Sequence, residues 1–244
     1  MNTRRTPAHS FLTLGLLATV FAGTFSACAE HSDTIRAKRR ASLSEMSGAD
    51  FSTDVGTEFV TPWTLPDNRR SIRYPGTRYE DQEARRGTIG DLSGKPMLVT
   101  FFYSRCQNSA KCSSAVARMA ALQSRLNQRG LSDRVRLVLV TYEPQVDTPS
   151  HLHQFGADRG FVFGEDALAI RLEQSEHQRF VDDIEAPVNF NAGWVNTHGV
   201  ELSLVDVQGR LVRKYQTVLW DNLTVIADLR RLLAEQSEPL TEWH

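Results

Sequence analysis

The apolar positions of this chain fall into short runs separated by segments with a helical period. Met97 to Tyr103 is an apolar run rich in β-formers and too short for a helix. It predicts a strand buried on both faces, as at the centre of a parallel sheet. A polar loop holding Cys106 and Cys112 follows, and then Ala115, Met119, Leu122 and Leu126 recur at helical spacing with Gly130 as the stop. Val135 to Tyr142 is a second buried run, and the order strand, helix, strand makes the two strands parallel through a right-handed crossover. Glu143 to Val146 then lies at the same carboxyl edge as the cysteines. Open α/β sheets place their sites at such strand ends, and a helix amino end favours thiolate, the reactive and metal-binding form of cysteine.

The remaining pattern completes an α/β domain with a central sheet flanked by helices. Thr148 caps a helix with Pro149 at its first position. Gly160 to Phe163 reads as a short strand, Ala167 to Ile184 as largely helical, and Ala186 to Thr197 as irregular, ending in Trp194-Val-Asn-Thr-His198. Val200 to Val207 and Leu211 to Tyr215 read as strands around the hairpin signal Gln208-Gly209. Leu223 to Leu233 closes as a helix with Ile226, Leu229 and Leu233 on one face. Ahead of the central strands, Thr61 to Gln82 carries prolines and a glycine among aromatic residues and predicts turns and short N-terminal edge strands.

Composition adds the compartment. The net charge of −1 gives no electrostatic case for nucleic acid. Residues 1–29 have the layout of an export signal: Arg4 and Arg5, an apolar run from Phe11 to Phe25, then Ser26-Ala27-Cys28-Ala29. Cleavage after Ala29 would release a soluble protein, whereas Phe25-Ser26-Ala27-Cys28 resembles a bacterial lipobox that would lipidate Cys28. An uncleaved anchor is the third exit. The cysteine count favours lipidation, because an odd cysteine in an exported protein is a liability and the chain has three. Residues 30–60 are a polar linker, 61–236 the folded domain and 237–244 a tail. On this reading the domain works on the periplasmic side of a bacterial membrane, lipid-anchored, where disulfides persist.

Cys106 and Cys112 have five residues between them. In a continuous helix they would diverge by more than a turn, so they meet only if residues 107–111 loop, which Gln107-Asn-Ser109 permits. A disulfide that pins the loop is the bland reading. His198 gains meaning from what it would face: two thiolates and one imidazole suit Cu(I), or Zn with a fourth ligand. His151 and His153 diverge on a helix and read as solvated. His9, His31, His177 and His244 carry no partner signal.

Three stretches carry a resemblance. Gly94-Lys-Pro-Met-Leu-Val-Thr-Phe-Phe-Tyr-Ser-Arg-Cys106, Val138-Leu-Val-Thr-Tyr-Glu-Pro-Gln-Val-Asp-Thr-Pro149, and Asn196-Thr-His198 with Leu202 to Leu211 together resemble the Sco/SenC family. The resemblance covers Leu92 to Leu233 and implies a thioredoxin-like fold, with Cys106, Cys112 and His198 as copper ligands and copper delivery to a respiratory oxidase as the task. Asn196 is a candidate to orient His198. The family's common pattern has three residues between the cysteines and a proline after each; here there are five, with Gln107 and Ser113 in the proline positions and Glu143 where Asp is usual. Two other functions fit the same residues. One is a thiol-disulfide oxidoreductase in which one of Cys106 and Cys112 attacks and the other resolves. The other is a thioredoxin-fold binding module with a structural disulfide.

Overall fold

The computed structural model describes residues 59–72 and 75–236. The export signal, Cys28, most of the linker and the tail lie outside the described residues. All that follows belongs to the unit Val55–His244.

In chain order the strands are β1 (Arg70–Ser71), β2 (Arg78–Asp81), β3 (Arg86–Thr88), β4 (Met97–Phe102), β5 (Arg136–Thr141), β6 (Ala167–Leu172), β7 (Val188–Asn191), β8 (Trp194–His198), β9 (Leu202–Val205) and β10 (Arg210–Tyr215). The helices are α1 (Ser114–Gln128), α2 (Pro149–Ala157), α3 (Gln174–Asp183) and α4 (Asn222–Glu235). Eight strands form one sheet in the order β1-β10-β9-β4-β5-β6-β2-β3. β4, β5 and β6 are parallel, while β9 and β2 run antiparallel to their neighbours. This is the mixed, helix-flanked sheet expected, with β1 at one edge and β3 at the other.

The two-residue alternation of the strands divides the core. Leu98, Phe102, Leu137 and Leu139 face α1, α2 and α4 and pack with Met119, Leu122, Leu152, Val225 and Leu229. Val99, Phe101, Val138 and Val140 face α3 and pack with Phe180, Val181 and Ile184. β4 is buried along its whole length; its one polar member, Thr100, donates its hydroxyl to the Glu201 carbonyl at 2.7 Å. Each aliphatic side chain so enclosed contributes about 1.5–3 kcal/mol relative to exposure.

The turn from β9 to β10 is built on Asp206, which is fully buried. Its carboxylate accepts from the Gln208 and Arg210 main-chain N–H groups at 3.0 and 2.9 Å and from Arg210 Nε at 2.8 Å. Arg69 Nη1 approaches to 3.4 Å, and Arg69 Nη2 donates to Glu235 at 2.5 Å. One carboxylate thus ties the hairpin turn to the N-terminal segment, which α4 also holds.

Three expectations are corrected. Ala167–Leu172 is a strand, and the helix begins only at Gln174. A run this short, apolar except for Arg171, has no decisive period; pairing with β5 on one side and β2 on the other supplies its hydrogen bonds. Gly160 to Phe163 forms no strand: the Gly160 and Phe161 N–H groups close the end of α2 onto Ala157 and Gly156, and Gln123 clamps the Val162 main chain from α1 at both N and O. The segment read as irregular before Thr197 is the β7–β8 hairpin. Its two-residue turn, Ala192-Gly193, has positive φ at both residues, 48° and 80°, the turn geometry whose twist matches a hairpin.

Candidate metal centre

The site begins where β4 runs out of sheet. Asp147, fully buried, accepts from the Ser104 N–H at 3.2 Å, from the Ser104 hydroxyl and from the Thr141 hydroxyl. It thereby fastens the end of β4 to the end of β5. Glu143, also buried, receives Arg105 through Nε and Nη2 at 3.0 and 2.9 Å. Its other oxygen accepts from the Val195 N–H at 3.4 Å. The same Arg105 guanidinium lies over the Trp194 ring, 4.6 Å from its centre. The acidic loop after β5 therefore holds both the cysteine loop and the β7–β8 hairpin.

Between the cysteines the chain does loop, and then it enters α1 through a π turn, Ser109–Ser113. Asn108 caps that turn, its side chain accepting from the Ala110 N–H at 3.0 Å. The Ser114 N–H and hydroxyl both reach back to the Ser109 carbonyl. A π turn inserts one residue into a helix, and this is how five intervening residues are accommodated while Cys112 still faces the core. Cys112 is fully buried and Cys106 partly exposed; both are free thiols.

His198 ends β8 and arrives from the opposite side. Its Nε2 lies 3.3 Å from Cys112 Sγ and 3.7 Å from Cys106 Sγ. The three donor atoms all fall within 4.8 Å of one another. A three-coordinate ion with bonds of about 2.0–2.3 Å to nitrogen and sulfur sets its donors roughly 3.5–4 Å apart, so the set fits a soft ion with little movement. Among the described residues it is the one group of His, Cys, Asp and Glu side chains placed to hold a metal. No carboxylate or further imidazole stands within that group, which favours a low-coordinate ion over tetrahedral zinc.

Electrostatics sharpen the picture. Burial pushes the Cys112 thiol well above the usual thiol range, outweighing the help of a backbone hydrogen bond. The expectation that the helix amino end favours thiolate is thus corrected for Cys112: desolvation wins. Burial first, and the Lys111 charge second, pull His198 below the ordinary imidazole range, so its ring is neutral and its nitrogen free to ligate. The rings of Tyr103 and Tyr142 meet His198 edge-on with centroids 5.1 and 6.1 Å away, giving the site an aromatic wall.

The other sequence candidates fall elsewhere. Asn196 does not orient His198; its amide points to Asn189 Oδ1 at 3.4 Å. The register shift between Asn189 and Phe190 leaves Asn196 as the bulged residue, and a bulge re-aims its side chain. His151 donates to the Val146 carbonyl, and His153 stacks on Phe163, both on exposed surface away from the thiols. His177, which carried no signal alone, is buried and donates Nε2 to the Thr141 carbonyl at 3.2 Å. Burial lowers its pKa to about 4, so it is a neutral brace behind the end of β5. Its spacing from Phe180, Val181 and Ile184 along α3 was the available clue. Glu143 reaches Arg105, Asp147 reaches Ser104 and Lys111 reaches His198 across 38 or more residues of sequence, which local pattern does not reveal.

Comparisons with known proteins bear on the family and the fold. The SCO1/SenC family model matches residues 78–234. The SCO1 protein homolog of Bacillus subtilis (strain 168) is 24% identical over 142 residues, covering 57% of this chain and 72% of the relative. The solved structure of BsSco, described with a disulfide switch and as a member of the Sco family of cytochrome c oxidase assembly proteins, superposes with a TM-score of 0.58 at 21% identity, covering 70% of this chain and 96% of that one. Yeast Sco1 with copper bound gives 0.52 at 19% identity, covering 68% and 90%. A match to the family model over well over half of the chain, on a thioredoxin-like sheet that delivers two cysteines and a histidine to one point, places the chain in the SCO1/SenC family.

Proposed function

We propose that this protein binds one Cu(I) ion through Cys106, Cys112 and His198 and delivers it to the copper site of a respiratory oxidase. The observation that carries the reading is the convergence of the two sulfurs and Nε2 from three separate elements onto one point. Cu(I) prefers soft donors in low coordination, and two thiolates with one imidazole meet that preference. Because the Cys112 thiol holds its proton in the metal-free protein, loading releases protons and is favoured as pH rises. Asp147 and Glu143 hold the loop and hairpin so that the donors meet. The copper-bound yeast relative and the oxidase-assembly family of BsSco support the assignment.

The test is copper analysis of the reduced protein after Cu(I) exposure and gel filtration. One copper per chain is expected, with two sulfurs and one nitrogen in its X-ray absorption spectrum. A Cys106→Ser/Cys112→Ser double variant should carry almost none; equal loading of that variant would remove the assignment.

A second reading rests on the contrast between a partly exposed Cys106 and a fully buried Cys112. In thiol exchange the Cys106 thiolate would attack a partner disulfide, forming a mixed disulfide and releasing one partner thiolate. Cys112, giving up its proton to water, would then attack Cys106 Sγ and release the second. Two electrons pass to the partner, and a Cys106–Cys112 disulfide remains.

Tethering belongs to the same proposal. The leader and the lipobox-like Phe25-Ser26-Ala27-Cys28 support an exported protein anchored through a lipid on Cys28, facing the periplasm. No helix among the described residues is long and apolar enough to cross a membrane. Mass spectrometry of the mature protein should find its first residue to be a blocked Cys28; a free amino terminus at Glu30 would leave export intact and exclude the lipid.

A further inference from the structure

His198 rides on a hairpin that belongs to its own two-stranded sheet, with no strand paired to the main one. An isolated two-stranded hairpin is marginal in water. Val188, Phe190 and Val195 pack the hairpin against the core, and side-chain bonds fix how it sits there, and with it the imidazole. At the turn, Gln145 Nε2 donates to the Gly193 carbonyl at 3.0 Å, beside the Arg105–Trp194 stack. At the base, Lys214 Nζ donates to the Glu185 carbonyl and to Glu201, each at 2.7 Å. One bond lands on the histidine itself: Lys111 Nζ donates to the His198 main-chain carbonyl at 2.8 Å.

Lys111 sits in the segment between the cysteines, one residue before Cys112, inside the π turn. Neighbouring residues of a helical turn point in different directions, so Lys111 reaches the hairpin while Cys112 faces the core. The donor is an ammonium and the acceptor a main-chain carbonyl, so the bond is of the stronger, charge-assisted kind. That charge has a second use. One Cu(I) with two thiolates carries a net charge of −1, and an ammonium beside a half-buried anion stabilises it.

We infer that Lys111 is a positioning residue for the copper site, a latch that joins the cysteine loop to the hairpin and holds His198 Nε2 over the two sulfurs. The inference rests on the copper reading above and adds a residue from between the two cysteines.

The experiment compares the parent with Lys111→Met, which keeps length and loses the donor, and Lys111→Arg, which keeps donor and charge. Two readouts are taken: amide hydrogen exchange of the metal-free protein, and Cu(I) affinity by competition with a chromogenic chelator. Lys111→Met should speed exchange at residues 188–198 while α1 and β4 stay protected, and should weaken Cu(I) binding on the order of 10-fold, the scale on which supporting contacts act. Lys111→Arg should restore most of both. Unchanged hairpin exchange in Lys111→Met overturns the latch, and faster exchange with unchanged Cu(I) affinity overturns its role at the site. If the parent itself binds no copper, the functional proposal falls, and hairpin exchange alone then judges the latch.

Discussion

His198→Ala should leave a folded protein with both thiols in place and a damaged copper site. The imidazole ends a partly exposed strand and packs edge-on against two tyrosines, so its loss costs little of the core. For copper the loss is of a donor that stands 3.3 and 3.7 Å from the two sulfurs. Perturbing a ligand's support typically weakens binding 10- to 100-fold; removing the ligand should reach at least the upper end of that range, about 100-fold. Disulfide exchange needs two sulfurs and an accessible thiolate, not an imidazole, so its rate should change far less. Competition titration with a Cu(I) chelator and the rate of reaction with a small disulfide separate the two. Equal copper affinity in parent and variant, with exchange slowed instead, would move the function to thiol chemistry.

Asp206→Ala should destabilise the whole domain without touching the metal centre. Val205 pairs with Met97 at the first residue of β4, so Asp206 lies at the opposite end of the sheet from the cysteines. Alanine removes the acceptor for two main-chain N–H groups and for Arg210, and takes one of two carboxylate partners from Arg69, whose side chain is only 2% exposed. Breaking a buried ion pair in this way costs about 3–5 kcal/mol. The urea midpoint should fall by the corresponding amount at unchanged slope, while the folded fraction keeps the parent's copper affinity. Asp206→Asn, which retains the shape and some of the acceptors, should fall between. A midpoint equal to the parent's would show that Glu235 alone satisfies Arg69.

The sequence showed the central elements because their signals are local. β4 and β5 are short apolar runs bounded by polar loops, α1 has a clean apolar stripe, and Thr148-Pro149 is a cap with a mechanism. Cys106, Cys112 and His198 were visible because residue type narrows their chemistry and because the resemblance joined them across the chain. The failures share a cause. β6 is too short for periodicity to separate strand from helix, and only its neighbours decide. β7 and β8 are half-exposed and rich in asparagine, a composition that reads as loop until the turn and the pairing are seen. Asn196 was aimed wrongly because a single bulge, invisible in the sequence, reverses a side chain. Glu143 and Asp147 stood in a motif of the resemblance, but what they hold, like the role of Lys111, was not legible because Arg105, Ser104 and His198 lie 38 or more residues away along the chain.

The uneven burial of the two sulfurs gives the site a direction. Cys112 has no exposed surface, while Cys106 opens toward the exposed stretch from Gln107 to Ala110. A donor approaching from outside meets Cys106 first and cannot reach Cys112 without unpacking the core. On the copper reading proposed above, exchange of the metal would begin at the outer sulfur and end at the inner one. On that reading the exposed stretch from Gln107 to Ala110 is the face across which an acceptor would approach.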